Sequence, residues 1–169
     1  NGLDWFTHDC TGSIEVDGQT YRCALGKAHG TVNLRGALEQ SCNTYFVALG
    51  QILGGQALGT AAAELGFGTA VPIAPDLTAS AGVLPTAKEL QSTGQLSVFS
   101  FGQGSFTATP LQITAMMNTI AADGTYRTPR FCCGVTDADG TVTEKFQLPA
   151  PRTVCDAATA KVLRSMLQS

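Results

Sequence analysis

The chain has 169 residues, enough for one ordinary hydrophobic core and too few for two full domains. Only 14% of the residues are charged, against about 25% in average soluble domains, while 44% are apolar, so a disordered solvating segment is excluded. Ten Lys plus Arg against thirteen Asp plus Glu give a net charge of −3 with no basic cluster, which argues against nucleic acid as a partner.

Along the first thirty residues, Gly12, Gly18, Gly26 and Gly30 punctuate short β-rich pieces at Ser13 to Val16 and Gln19 to Cys23, which predicts loop and hairpin. Asp4, His8 and Asp9 break up any apolar run there, so no signal peptide is expected. No run of eighteen apolar residues occurs anywhere, and the chain is expected to be soluble by itself. From Leu34, apolar residues recur at Ala37, Leu38, Cys42, Tyr45, Phe46, Leu49, Ile52 and Leu53, the spacing of one buried helical face that Gly54 and Gly55 stop. An alanine-rich helix is predicted over Gln56 to Leu65.

Pro72, Pro75, Gly82 and Pro85 predict a surface loop, followed by a short helical piece from Thr86 to Ser92. The 33 residues from Leu90 to Ala122 contain no Asp, Glu, Lys or Arg but many Gly, Ser, Thr and Gln, the composition of a buried polar wall. Within it, Thr109-Pro110-Leu111-Gln112 carries a helix start: Thr as N-cap, Pro in the first turn, Gln three residues past the cap. Phe131 to Thr136 and Thr141 to Phe146, joined through Asp137-Ala138-Asp139-Gly140, predict a hairpin, and Asp156 caps a last helix.

Ser41-Cys42-Asn43 interrupts the first apolar run. On spacing alone the run is one continuous helix, with Ser41 bonded to a carbonyl one turn back and Asn43 in solvent. Residues two apart on an unbroken helix point about 200° from each other, so Ser41 and Asn43 can act together only if the helix breaks. His8, Cys10, Cys23 and His29 offer metal-binding atoms, but no pair has the two-to-four spacing of a zinc-binding turn. The expectation is no metal and no cofactor, with a small zinc-binding domain built on those four residues kept as an alternative. A Cys10 to Cys23 disulfide across the hairpin and two free thiols are further alternatives, whereas Cys132 and Cys133 are adjacent on a strand and poorly placed to bridge each other.

Order and spacing together resemble the centre of a penicillin-binding protein transpeptidase domain of the class B, high-molecular-weight type. The matching pieces are Cys10 with Gly12, Tyr21-Arg22-Cys23, His29 to Leu34 and Ala37 to Phe46, then Phe101-Gly102-Gln103-Gly104, Thr109 to Gln112, Ile120 to Gly124, Thr128-Pro129-Arg130 and Asp137 to Gly140. The family uses three motifs, Ser-x-x-Lys, Ser-x-Asn and Lys-Thr-Gly. Only the second occurs here, as Ser41-Cys42-Asn43.

The resemblance implies an α+β fold, mainly the helical part of the domain with a β-hairpin. It implies one partial domain, with a loop and hairpin excursion over 1–32, a helical region over 33–124, and a hairpin and C-terminal helix over 125–169. In the parent, such a domain cross-links peptidoglycan stem peptides through a serine acyl-enzyme and binds β-lactams, at the extracytoplasmic face of a bacterial membrane to which the parent is anchored. Ser41 would relay a proton to the leaving amine, and Asn43 would bond the side-chain amide of the stem peptide or β-lactam. Gly102, Gln103, Gly104 and Thr109 would shape the wall near the site. It also places Cys10 and Cys23 within bridging distance on one excursion and requires the chain to turn near Ser41.

Alone, this chain is expected to be inactive. Leu34, Leu38, Phe46, Leu49 and Met117 are expected to lack partners, favouring a homo-oligomer. A non-catalytic penicillin-binding-like interaction module is the alternative of a different class.

Overall fold

Asp17 and Gly18, both with positive φ, make the two-residue turn that a tight hairpin needs. They join β2 (Ser13–Val16) to β3 (Gln19–Arg22), as the sequence predicts. In the computed structural model, which describes residues 5–74, 77–147 and 149–168, this hairpin is the outer part of a longer excursion. At its base, β1 (His8–Cys10) pairs antiparallel with β4 (Gly30–Val32), a contact between segments twenty residues apart that local patterning does not carry. Gly12, between β1 and β2, has φ +95°, and a Cβ there would run into the Gly26 carbonyl.

The structure divides into two compact units, described separately. The first holds residues 1–62, 84–106 and 162–169, the second 63–83 and 107–161.

In the first unit, Asn33 caps α1 (Leu34–Glu39) by accepting from the Gly36 N–H at 3.0 Å. The continuous helix that spacing alone predicts does not form. The chain breaks at residues 40–42 and restarts as α2 (Asn43–Leu53), which meets α3 (Gly55–Glu64) at 102° across Gly54. Cys10, Cys23, Val32, Ala37, Cys42 and Tyr45 form the buried cluster, and Phe6, Leu34, Phe46 and Leu49 pack against it. The expectation that Leu34, Phe46 and Leu49 lack partners is therefore corrected. They close this core.

A helix the sequence reading left out, α4 (Thr93–Ser100), lies against α2. Its serines conceal it: Ser97 donates to the Thr93 carbonyl at 2.8 Å and Ser100 to the Leu96 carbonyl at 2.7 Å, which lets hydroxyls sit on a packed helix without apolar periodicity. Gln51 of α2 donates to Ser97 Oγ at 3.0 Å, and a Cβ at Gly50 would overlap the Ser100 hydroxyl, so glycine permits the close approach.

In the second unit, α5 (Pro110–Ala121) begins with the predicted capping box, Thr109 Oγ accepting from the Gln112 N–H and the Gln112 side chain accepting from the Thr109 N–H. Gln112 is 1% exposed, and its amide donates to the carbonyls of Gly66, Thr69 and Ala81. The predicted loop after Pro72 contains a small pair, β5 (Pro72–Ala74) with β6 (Leu77–Thr78), while Pro75 lies outside the described residues. Downstream, β7 (Thr125–Tyr126) pairs with β10 (Arg152–Thr153), the Arg152 guanidinium sitting 3.9 Å from the centre of the Tyr126 ring.

The predicted hairpin forms as β8 (Gly134–Thr136) and β9 (Val142–Lys145), shorter than its apolar ends suggested, with Phe131 73% exposed. Asp156 caps α6 (Ala157–Leu167) by accepting from the Thr159 N–H at 2.6 Å. Met117 is exposed, as expected. Small antiparallel strand pairs and packed helices give an α+β architecture.

Gln112→Leu is expected to cost about 2–4 kcal/mol of stability, because it strands carbonyl groups away from water and removes half of the capping box. Urea unfolding followed by circular dichroism checks this, and an unchanged midpoint would refute it.

Candidate functional site

The break between α1 and α2 is a Schellman motif. The Ser41 N–H donates to the Leu38 carbonyl at 3.2 Å and the Cys42 N–H to the Ala37 carbonyl at 2.9 Å, the two bonds that define such a helix end. The motif requires a left-handed residue, usually glycine. Here it is Ser41, at φ +53°. The apolar contact that accompanies the motif is Cys42 against Ala37, both fully buried.

Cys42 is then the N-cap of α2. This double role turns the chain so that Ser41 and Asn43 no longer obey the 200° separation of a straight helix. Ser41 is exposed, Asn43 is half-buried, and the side chain between them points into the core. Asn43 Nδ2 donates to the Arg22 carbonyl at 3.0 Å, tying the first turn of α2 to the end of β3. Its amide oxygen stays available as an acceptor.

Behind this loop lies a cluster that spacing rules missed. The ligand atoms of Cys10, Cys23, His29 and Cys42 all lie within 4.8 Å of one another. Cys10 Sγ is 3.7 Å from Cys23 Sγ and 3.4 Å from His29 Nδ1, and Cys23 Sγ is 3.9 Å from Cys42 Sγ. A tetrahedral zinc with arms of about 2.3 Å to sulfur and about 2.0 Å to nitrogen separates its ligand atoms by about 3.5–3.8 Å. The donor set and its spacing therefore fit zinc.

The cluster differs from the set considered from sequence. Cys42 stands where His8 was expected, and His8 Nε2 instead lies 3.2 Å from Thr44 Oγ. Burial holds the His8 ring below its usual pKa against the opposing charge of Asp9, which favours a neutral ring. With its proton on Nε2, His8 donates to Thr44. The fully buried Thr44 oxygen also accepts from the Cys23 thiol at 3.8 Å and lies 3.4 Å from Cys42 Sγ.

Burial opposes a charged sulfur at Cys10, yet hydrogen bonds from the Thr44 hydroxyl, the backbone at Gly12 and His29, and the Cys42 thiol outweigh it and bring Cys10 down to about 6. At Cys42 burial dominates and pushes the thiol up to about 11. The two thiols are thus shifted in opposite directions.

Residues 6–169 match the family model described as the penicillin binding protein transpeptidase domain. The chain belongs to that family. It is 32% identical over 160 residues to stage V sporulation protein D of Bacillus subtilis, covering 94% of this chain and 24% of the relative. It is 33% identical over 132 residues to peptidoglycan D,D-transpeptidase MrdA of Acinetobacter baumannii, covering 72% of this chain and 19% of the relative. The chain thus spans a quarter or less of the length of these relatives.

Among solved structures, it is similar to a peptidoglycan synthetase from Bifidobacterium adolescentis, with a TM-score of 0.86 and 26% identity over 98% of this chain and 30% of that one. It is also similar to penicillin-binding protein 3 from Mycobacterium tuberculosis complexed with aztreonam, with a TM-score of 0.80 and 28% identity over 96% of this chain and 36% of that one. The α+β fold is that of penicillin-binding protein transpeptidase domains, and the chain is part of such a domain.

Of the residues singled out from sequence, Ser41 and Asn43 flank the loop just described. Gly102, Gln103 and Gly104 follow α4 in the same unit, where the Gly102 N–H donates to Phe99 at 3.0 Å and the Gln103 N–H to Val98 at 2.9 Å. Thr109 belongs to the second unit, where it caps α5. Cys10 and Cys23 are close, and both are free thiols.

A left-handed residue with a side chain costs roughly 1–2 kcal/mol relative to glycine, partly offset by the lower chain entropy of serine. Ser41→Gly is therefore expected to raise stability by about 0.5–1 kcal/mol, read as a higher urea midpoint at unchanged slope. A lower midpoint would contradict the strain at Ser41.

Proposed function

We propose that this chain forms the central part of a D,D-transpeptidase whose parent cross-links peptidoglycan stem peptides through a serine acyl-enzyme. One observation carries the reading: the helix break that turns Ser41 and Asn43 out around a buried Cys42. The exposed Ser41 hydroxyl can accept and return a proton, the role of a relay between an activating lysine and a leaving amine. Asn43, held through its nitrogen by Arg22, presents an amide oxygen to the backbone or side-chain amide of a stem peptide or β-lactam.

Gly102, Gln103 and Gly104 act as wall, and Thr109 as a helix cap. The parent works at the extracytoplasmic face of the membrane. Among the described residues, no single helix is long and apolar enough to cross one. Exposed Ile52, Leu53, Phe131, Val135 and Val142 suit packing against further domain segments or a second copy.

With no Ser-x-x-Lys in its 169 residues, the chain is expected to form no covalent adduct with a fluorescent penicillin. Mass spectrometry after incubation tests this, and a stoichiometric acyl adduct would refute it. In the parent, Ser41→Ala is expected to slow acylation by about 10²- to 10⁴-fold. Acylation at the wild-type rate would remove Ser41 from the relay.

The thiol cluster favours a second feature, one structural zinc held by Cys10, Cys23, His29 and Cys42. A closed four-ligand site of this kind supplies folding energy and no reaction chemistry. Zinc would join the β excursion to the Ser41 loop through Cys42. Reduced protein is expected to hold about one zinc per chain by elemental analysis and to melt at a higher temperature than chelator-treated protein, with His29→Ala abolishing both. Zinc well below stoichiometric, with superimposed melting curves, would refute the site.

A further inference from the structure

A zinc centre with three thiolates differs chemically from one built on carboxylates and imidazoles, because its ligands can be oxidised in pairs. We propose that this centre is a redox-sensitive switch, in which a hydroperoxide converts Cys10 and Cys23 to a disulfide, expels the metal and releases Cys42. The inference rests on the zinc reading and adds its regulation.

Geometry supports the pairing. Cys10 and Cys23 have Sγ atoms 3.7 Å apart and must close to about 2.05 Å, a movement of under about 2 Å. Both sit on the β excursion, where the Cys23 N–H donates to the Gly12 carbonyl at 3.0 Å and the His29 N–H to the Cys10 carbonyl at 3.1 Å, so the two can approach as one unit. Cys42 is 3.9 Å from Cys23 but is pinned at the junction of two helices by its bond to Ala37 and the turn of α2 that follows.

Access is also provided. Residues 24–28, which link Cys23 to His29, are exposed throughout, and Leu25 is fully exposed at a left-handed φ of +55°. A segment with so little burial opens locally at low free-energy cost, and its opening uncovers the buried thiols to a small oxidant.

The step balances. One thiolate of the pair attacks a peroxide oxygen, the O–O bond breaks, and hydroxide leaves, giving a sulfenic acid. The second thiolate attacks that sulfur, the S–O bond breaks, and a second hydroxide leaves. Two electrons pass from the sulfurs to hydrogen peroxide, and two protons from solvent convert the hydroxides to water. His29 and Cys42, two ligands of four, do not retain the ion, which leaves as Zn²⁺. The residue between Ser41 and Asn43 then loses its tie to the excursion. Oxidation therefore acts on the loop that carries both polar groups.

The test uses the full chain with Cys132, Cys133 and Cys155 changed to serine, since these thiols lie outside the cluster and would react independently. Loaded with zinc and treated with hydrogen peroxide in the presence of a chromogenic chelator, it is expected to release its zinc, fall from three titratable thiols to one, and yield a Cys10–Cys23 linked peptide by mass spectrometry. Dithiothreitol with zinc is expected to reverse all three changes. Cys10→Asp in this background keeps a zinc-binding side chain but no partner for Cys23, so peroxide-driven release should slow at least tenfold. If that variant holds no metal, Cys23→Asp serves the same purpose.

Zinc retained through the peroxide treatment, release with sulfinic acids, or a Cys23–Cys42 linkage would each overturn the switch while leaving the zinc site standing. A reduced protein that binds no zinc overturns both.

Discussion

The turn at Ser41 is the constraint on which the first unit depends. A straight helix from Leu34 to Leu53 would satisfy the apolar periodicity but would leave Cys42 and Tyr45 on a face set by Leu34 and Ala37. Breaking it sends Cys42 and Tyr45, 0% and 1% exposed, into the cluster with Cys10, Cys23 and Val32. The left-handed serine costs roughly 1–2 kcal/mol, whereas burying a large side chain returns about 1.5–3 kcal/mol apiece. Burial decides the outcome. The same turn exposes the hydroxyl of Ser41 and leaves Asn43 half-buried beside Arg22, so strain and the candidate site coincide, as they often do where a local rule is broken for function.

Three buried cysteines by themselves would be ordinary small hydrophobes. What separates this cluster from plain core is the imidazole of His29 at 3.4 Å from Cys10 and the buried hydroxyl of Thr44 beside Cys42, polar groups that a purely apolar core would not recruit. The opposed shifts at Cys10 and Cys42 have different causes: hydrogen bonds outweigh burial at Cys10, and burial prevails at Cys42. A divalent cation bound by these sulfurs would favour the thiolate at each.

Features fixed by short-range chemistry were legible in the sequence, and those fixed by chain reversals were not. Thr109 to Gln112 declared a capping box because its partners are three residues apart, and the β-rich pieces on either side of Gly18 declared a hairpin because they too are close in sequence. The pairing of His8–Cys10 with Gly30–Val32 is non-local, and α4 hides its helical face behind serines that bond to their own carbonyls. The break at Ser41 was visible only through family resemblance, because serine stands where a Schellman motif usually advertises glycine. The fourth member of the thiol cluster stayed hidden with it. Cys42 lies nineteen residues beyond Cys23 and reads in the sequence only as part of a buried helical face, so His8, close to Cys10 in the chain, took its place among the candidate ligands.

Cys42 therefore carries three functions in one residue: it closes α1, starts α2, and offers a sulfur to the cluster. Each function constrains the others. Ending α1 requires the Cys42 N–H to reach Ala37, starting α2 requires its extended backbone at φ −80° and ψ 95°, and together these aim the side chain at Cys23 rather than at solvent. The backbone that orients Ser41 and Asn43 is thus the backbone that orients a metal-binding sulfur. A change in what that sulfur is bonded to cannot leave its two neighbours untouched, because no flexible link separates them.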